Sequence, residues 1–189
     1  MTEPLNIHVI IGSVREGRMA LPIANWVMEQ AALRDDLACE LVDLKAWELP
    51  FYWHSRAPAA GAYTDPLQQR WAGKIAAADG YILVAPEYNH SPSAVLKNAL
   101  DTVYAEWNRK PVSFVAYGGV GGARSVEQLR LTSVSLEMAP LSNAVHLVRP
   151  GGKRRDDRFE GDEHDNKALA RVFDELAWWG RVLKAGRAG

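Results

Sequence analysis

The segment Gly80–Ala85, reading GYILVA, constrains the fold of this chain more than any other. A run without a charged residue, opened by a glycine and too short for a helix, reads as a strand covered on both faces. Such strands belong to parallel sheets whose crossover helices shield both sides. Leu5–Ile11 is a second, nearly continuous apolar run, and Ala38–Leu44, Val112–Tyr117 and Asn143–Val148 supply three more. Helical spacing fills the gaps between them. Met19–Leu33 turns Leu21, Ala24, Val27 and Met28 to one side, and Asp65–Asp79 forms a second helix. A third follows Ser91, read as its cap, with Pro92 at the first helical position, where no N–H is needed. It carries Val95, Leu96, Ala99, Leu100 and Val103 inward. Ala123–Met138 and Lys167–Lys184 complete the set, the last with Leu169, Val172, Phe173, Leu176, Trp179 and Leu183 on one stripe. This alternation implies right-handed crossovers and a parallel sheet with helices on both faces. Strand order 2-1-3-4-5 and a Rossmann-type order both satisfy the local pattern. Either one puts a ligand beyond the strand C-termini, near the switch point.

At 189 residues the chain suits a single domain spanning 1–189. A net charge of −1 gives no broad pull toward nucleic acid or anionic membranes. The one cysteine, Cys39, excludes an internal disulfide framework and fits a reducing compartment. With no signal-peptide pattern and no apolar run near the ~18 residues a span needs, a cytoplasmic, soluble protein is expected. Two connections stand out by length. Lys45–Thr64 holds Trp47, Phe51, Tyr52, Trp53 and Tyr63, which argues for packing against the site mouth or a second subunit. Arg149–Asn166 is charged with both signs and reads as a solvated surface loop.

Three loops at the expected ligand edge carry chemistry. After the first strand comes Gly12-Ser13-Val14-Arg15-Glu16-Gly17-Arg18 and then a helix. Free N–H groups and the positive helix end make such a junction an anion site. Ser13 adds a hydroxyl, and Arg15 and Arg18 can each fork onto phosphate oxygens. The terminal Gly-Lys-Ser/Thr of a Walker loop and the G-x-G-x-x-G of a dinucleotide fingerprint are both absent, so a single terminal phosphate is the simplest guest. Asp43, placed where a Rossmann domain reads a ribose, is therefore read as structural.

After the third strand, Pro86-Glu87-Tyr88-Asn89-His90-Ser91-Pro92-Ser93 offers what a flat heteroaromatic ring needs. Tyr88 supplies a wall, and backbone amides around Asn89 supply in-plane partners. Asn89 serves either the ligand or the loop, Glu87 orients the loop rather than acting as an acid, and His90 reads as a surface residue. After the fourth strand, Gly118-Gly119-Val120-Gly121-Gly122 permits positive φ and close backbone approach to a ring plane.

Together GSVREGR, PEYNHSPSAVLKNALD and YGGVGGARSVEQLR resemble, in order, the signature loops of the NADPH-dependent FMN reductase-like flavoproteins. The resemblance runs from the first strand through the fourth helix. It implies a flavodoxin-like α/β three-layer sandwich with sheet order 2-1-3-4-5. It implies that Ser13, Arg15, Arg18 and the backbone at Met19 bind the FMN phosphate. Pro86, Glu87, Tyr88 and Asn89 would flank the isoalloxazine, and Gly118, Gly119, Val120, Gly121 and Gly122 would contact its pyrimidine end. It also implies a homodimer or homotetramer with FMN at a subunit boundary.

The expected function is hydride transfer from NADPH or NADH through FMN to a small-molecule acceptor, by a ping-pong scheme. Free flavin, a quinone, an azo compound or a metal oxyanion would serve as acceptor. No side chain is required as nucleophile, and the scattered histidines and missing G-x-S-x-G argue against metal and serine hydrolases. The rivals are a non-enzymatic electron carrier or flavin-binding regulatory module, and a nucleotide-binding transferase. Carriers of this fold tend to be strongly acidic, unlike this chain.

Overall fold

The computed structural model describes residues 3–188. Strands β1 (Leu5–Ile11), β2 (Leu37–Asp43), β3 (Gly80–Pro86) and β4 (Pro111–Gly118) form the body of a parallel sheet in the order β2-β1-β3-β4. The fifth position is filled by two short segments, β5 (Ala139–Pro140) and β6 (Val145–Val148), which both pair with β4. The order is thus 2-1-3-4-5, with the last strand broken between Leu141 and Ala144.

Helices cover both faces, giving the flavodoxin-like three-layer sandwich. On one side α1 (Ala20–Ala31) and α6 (Glu163–Ala188) pack on Ile7, Val9, Ile11, Ile82 and Val84. On the other, α3 (Pro66–Ala76), α4 (Ala94–Asp101) and α5 (Ala123–Ser135) pack on Ile10, Tyr81, Leu83, Phe114 and Ala116. The short α2 (Leu44–Trp47) follows β2 directly. Every residue of β3 is buried, as its apolar run requires. Strand ends align: Ile11 faces Asp43 and Val84, and Pro86 faces Tyr117. That alignment brings the three loops after β1, β3 and β4 to one edge.

Several elements depart from the sequence reading, each for a local reason. Helix α4 starts at Ala94, because Ser93 is its cap, accepting from Leu96 N at 3.2 Å, while Ser91 is held in a bridge with Tyr88. Leu21 of α1 is 37% exposed, since the buried stripe runs through Ala20, Ile23, Ala24 and Val27. In α6 the stripe passes through Leu176, Ala177 and Gly180 rather than Trp179, which is 38% exposed. Gly180 is needed there: a Cβ would lie 2.6 Å from Leu5 Cδ1.

Arg149–Asn166 is not the solvated loop expected. It folds into a turn at Pro150–Lys153 and a hairpin of β7 (Arg154–Arg155) and β8 (Arg158–Phe159), and its end is already helix. Phe159, buried edge-to-face on Trp26 at 5.2 Å, anchors the hairpin, and Lys153 pairs with Asp162 and the buried Asp165. In Lys45–Thr64 two aromatic side chains are tied to the rest of the chain. Trp47 meets Trp71 edge-on at 4.9 Å, and the Tyr63 hydroxyl donates to Glu106 while accepting from Tyr104 N.

Candidate active site at the C-terminal sheet edge

The loop after β1 is pinned from below. Gly12 N donates to Val84 O at 2.9 Å and Ser93 Oγ donates to Gly12 O at 2.6 Å. No larger residue fits, because a Cβ on Gly12 would sit 2.9 Å from both Leu96 Cδ2 and Val84 O. Ser13 is fully buried, its Oγ 2.9 Å from the Tyr88 hydroxyl, which ties the first loop to the third. Arg15 is exposed, with its guanidinium carbon 5.7 Å from the Tyr88 ring centroid, a cation–π distance.

Arg18 is placed differently. Its side chain is nearly buried and forks onto Asp43, donating to Oδ1 at 2.7 Å and Oδ2 at 2.5 Å, and also to Ser13 O at 2.5 Å. Its guanidinium therefore braces the loop, and Asp43 has the structural role read from the sequence. Partial burial works to raise the Asp43 carboxyl, but donors from Arg18 and Lys45 N outweigh it and hold it below the usual carboxylate range. Met19, the residue before α1, offers no side-chain cap, so the first N–H groups of the helix are left for another acceptor.

The loop after β3 is a two-residue turn. Tyr88 and Ser91 exchange backbone hydrogen bonds at 2.9 and 3.1 Å, and Asn89 and His90 between them have φ of 50° and 70°. Positive φ at both central positions is the type I′ signature, for which asparagine is favoured. Glu87 reaches across to the loop after β4. Its carboxylate, 4% exposed, accepts from Arg124 Nε at 2.5 Å and from Arg124 N at 3.1 Å, holding the start of α5. In the glycine loop, Gly122 has φ of +73°, and a Cβ there would lie 2.6 Å from Ala116 Cβ and 2.7 Å from Tyr117 N. Gly119 and Val120 are exposed at the rim.

A cleft of about 350 Å³ opens between the first loop, the third loop and the aromatic insertion. Ser13, Val14 and Arg15 line one side, Tyr88 and the start of α4 another, and Leu49 and Phe51 the third. Its size and apolar walls suit a small-molecule ligand. Pro86, Glu87 and the glycine loop adjoin it without lining it. Gly118 sits against Glu87, where a Cβ would be 3.2 Å from Glu87 Cβ.

The sequence reading missed the residue that shapes this cleft. Asn98, 8% exposed on α4, donates to Leu49 O and Pro50 O at 3.2 and 2.9 Å and accepts from Tyr52 N at 3.2 Å. An asparagine in a buried apolar stripe between Leu96 and Ala99 was the available signal, since a buried amide needs partners. Arg154 was also missed; from the β7–β8 hairpin it donates to Gly17 O at 3.4 Å and so braces the first loop.

The donor set fits a phosphorylated ring ligand: uncapped helix N–H groups and Arg15 for an anion, and an apolar cleft with a tyrosine wall for a ring. Among the described residues no cluster of His, Cys, Asp or Glu could hold a metal, and no helix is long and apolar enough to cross a membrane.

Comparison with known proteins agrees with this chemistry. The model of the NADPH-dependent FMN reductase family matches residues 5–150. An NAD(P)H-dependent FMN reductase of Schizosaccharomyces pombe is 42% identical over 147 residues, covering 76% of this chain and 74% of its own. A quinone reductase of Pseudomonas putida is 29% identical over 199 residues, covering 98% of this chain and all of its own. Among solved structures, the flavoenzyme NAD(P)H:(acceptor) oxidoreductase of Paracoccus denitrificans shares the fold, with a TM-score of 0.76, 21% identity and coverage of 94% and 97% of the two chains. By sequence along most of its length, this chain belongs to the NADPH-dependent FMN reductase family.

Proposed function

We propose that the loops at the sheet edge hold FMN by its phosphate at Ser13–Met19 and by its ring between Tyr88 and the glycine loop. Family membership makes the chain an FMN-dependent NAD(P)H oxidoreductase of small acceptors. When bound, FMN supplies the redox chemistry, accepting hydride from NAD(P)H and returning two electrons to the acceptor.

The chain's own residues position and stabilise. Uncapped N–H groups at the start of α1 and the exposed Arg15 guanidinium would hold the phosphate. Arg18, held by Asp43, and Ser13, held against Tyr88, keep that loop in shape before any ligand arrives. Preformed geometry of this kind spares the ordering cost on binding. With FMN bound, Pro86, Glu87 and Asn89 would flank the ring, and backbone N–H groups of Gly118–Gly122 would face its polar edge, where they would stabilise added negative charge. Leu49 and Phe51 give the cleft a third, apolar side. The observation that carries the reading is that Ser13 and Arg15 of the loop after β1 and the Tyr88 wall line one apolar cleft.

All of this lies within one domain spanning 1–189. Val14 and Phe51, which line the cleft, are exposed by 41% and 77%, and Trp53 on the same insertion by 72%, an apolar rim that supports a homodimer or homotetramer with the site near the boundary. The acceptor class is a quinone or related small oxidant, a reading supported by the quinone reductases among the relatives. Steady-state oxidation of NADPH by FMN-loaded protein, with 1,4-benzoquinone varied at several NADPH concentrations, tests this. Parallel double-reciprocal lines are expected from a ping-pong enzyme. A protein that binds FMN but oxidises NADPH only when a separate reductase is added is a carrier, and this reading is then wrong.

A further inference from the structure

His90 lies outside the cleft lining, yet the loops that form the site fix its ring. It is exposed at the second central position of the Tyr88–Ser91 turn, with φ of 70°. Its Nε2 lies 2.7 Å from Arg124 Nη1. A guanidinium can only donate, so in this contact Nε2 accepts and the ring N–H is the one at Nδ1. Arg124 is itself immobilised by the nearly buried Glu87 carboxylate, which takes its Nε–H at 2.5 Å and its backbone N–H at 3.1 Å. The chain Glu87–Arg124–His90 thus joins the β3 loop to the start of α5. It presents an Nδ1–H that has no hydrogen-bond partner among the described residues.

We propose that the His90 Nδ1–H donates a hydrogen bond to a carbonyl oxygen of the electron acceptor, making His90 a specificity-determining residue for quinones. The proposal rests on the oxidoreductase reading above. Reduction of 1,4-benzoquinone to hydroquinone takes two electrons and two protons. Hydride delivered from the cofactor carries both electrons and one proton, and water supplies the second. His90 keeps its proton throughout. Its donor stabilises the charge that builds on the carbonyl oxygen as hydride arrives. An imidazolium would instead turn an N–H toward the Arg124 cation, so the geometry opposes a general-acid role.

The test uses FMN-loaded wild type, His90→Phe and His90→Gln at fixed NADPH, with 1,4-benzoquinone and with ferricyanide, which takes single electrons and has no carbonyl. Loss of one neutral hydrogen bond lowers the benzoquinone-to-ferricyanide ratio of kcat/KM about five- to tenfold in His90→Phe. The amide N–H of His90→Gln restores part of it. Independently, 15N spectra of histidine-labelled protein show the Nδ1–H tautomer at His90 in wild type, and a mixture of tautomers in Arg124→Met. An unchanged ratio, an equal loss with both acceptors, or an Nε2–H tautomer in wild type overturns the proposal while NADPH oxidation persists. A wild type that oxidises NADPH with neither acceptor overturns the oxidoreductase reading, and this proposal with it.

Discussion

Replacing Gly122 by alanine separates the structural from the ligand-facing role of the glycine loop. Gly122 sits at φ of +73°, and the added Cβ would lie 2.6 Å from Ala116 Cβ and 2.7 Å from Tyr117 N. The left-handed conformation costs a non-glycine residue roughly 1–2 kcal/mol. Backbone of the buried strand β4 cannot withdraw as a flexible side chain can, so overpacking adds about 1–3 kcal/mol. The expected loss is therefore about 2–5 kcal/mol, or roughly 5–15 °C in Tm for a chain of this size. Gly119 is the control. An added Cβ there meets nothing within 4 Å and the residue has no positive φ, so Gly119→Ala should stay within about 0.5 kcal/mol of wild type. In the proposed site its methyl would nevertheless stand where the flavin ring approaches, and FMN affinity should drop at least about fivefold, the low end of an overpacking cost. Thermal unfolding of the apo proteins and quenching of FMN fluorescence read the two effects. A Gly122→Ala protein as stable as wild type, or a Gly119→Ala protein equally damaged, refutes the reasoning.

Three further perturbations probe other parts of the account. Arg15→Ala should weaken FMN binding by about 1.5–3 kcal/mol and leave riboflavin binding nearly unchanged, while equal losses for both ligands would remove Arg15 from the phosphate site. Asn98→Ala deletes three hydrogen bonds to Leu49, Pro50 and Tyr52, so limited proteolysis within residues 49–64 should accelerate; an unchanged cleavage rate would show that the insertion is held elsewhere. His8 is buried, its Nδ1 lacks a partner, and burial lowers its pKa to about 4, even though Glu40 lies 3.3 Å from Nε2 and pulls the other way. The unfolded chain takes up this proton near pH ~6.5 and the folded chain does not. Stability should therefore fall by about 3 kcal/mol as the pH drops from 6.5 to 4, and urea titrations should show that His8→Leu lacks that component.

What could be read from the residues, and what could not, follows the range of the interactions. Strand β1 appears at Leu5–Ile11, as its apolar run demanded, because burial on both faces is written into every residue of the segment but the exposed Asn6 and the polar His8. The start of α4 was misplaced by two residues, because Ser91 is claimed by a hydrogen-bonded turn with Tyr88 and only Ser93 remains to cap. The fifth strand was expected as one run. A break between Pro140 and Val145 depends on how the chain crosses the sheet edge, which no local pattern encodes.

At the site, the three loops were visible because glycines, arginines and the strand-to-helix junctions are local signals. Their cross-links were not. Arg18 was read as a phosphate ligand, and its partner Asp43 lies 25 residues away on another strand. The Glu87–Arg124 pair spans 37 residues, and the Ser13–Tyr88 contact spans 75. Phe159 shows the same limit from the other side. A single apolar residue in a charged segment carries no period, yet it docks the whole hairpin on Trp26.

A crystal structure of the protein grown with FMN addresses the main assignment most directly. The phosphate should lie against the Ser13–Met19 loop, within reach of the α1 N–H groups and Arg15, with the ring between Tyr88 and Gly118–Gly122. Phosphate bound elsewhere, or a ring seated in the separate cavity between Tyr52 and Gln68, would contradict it.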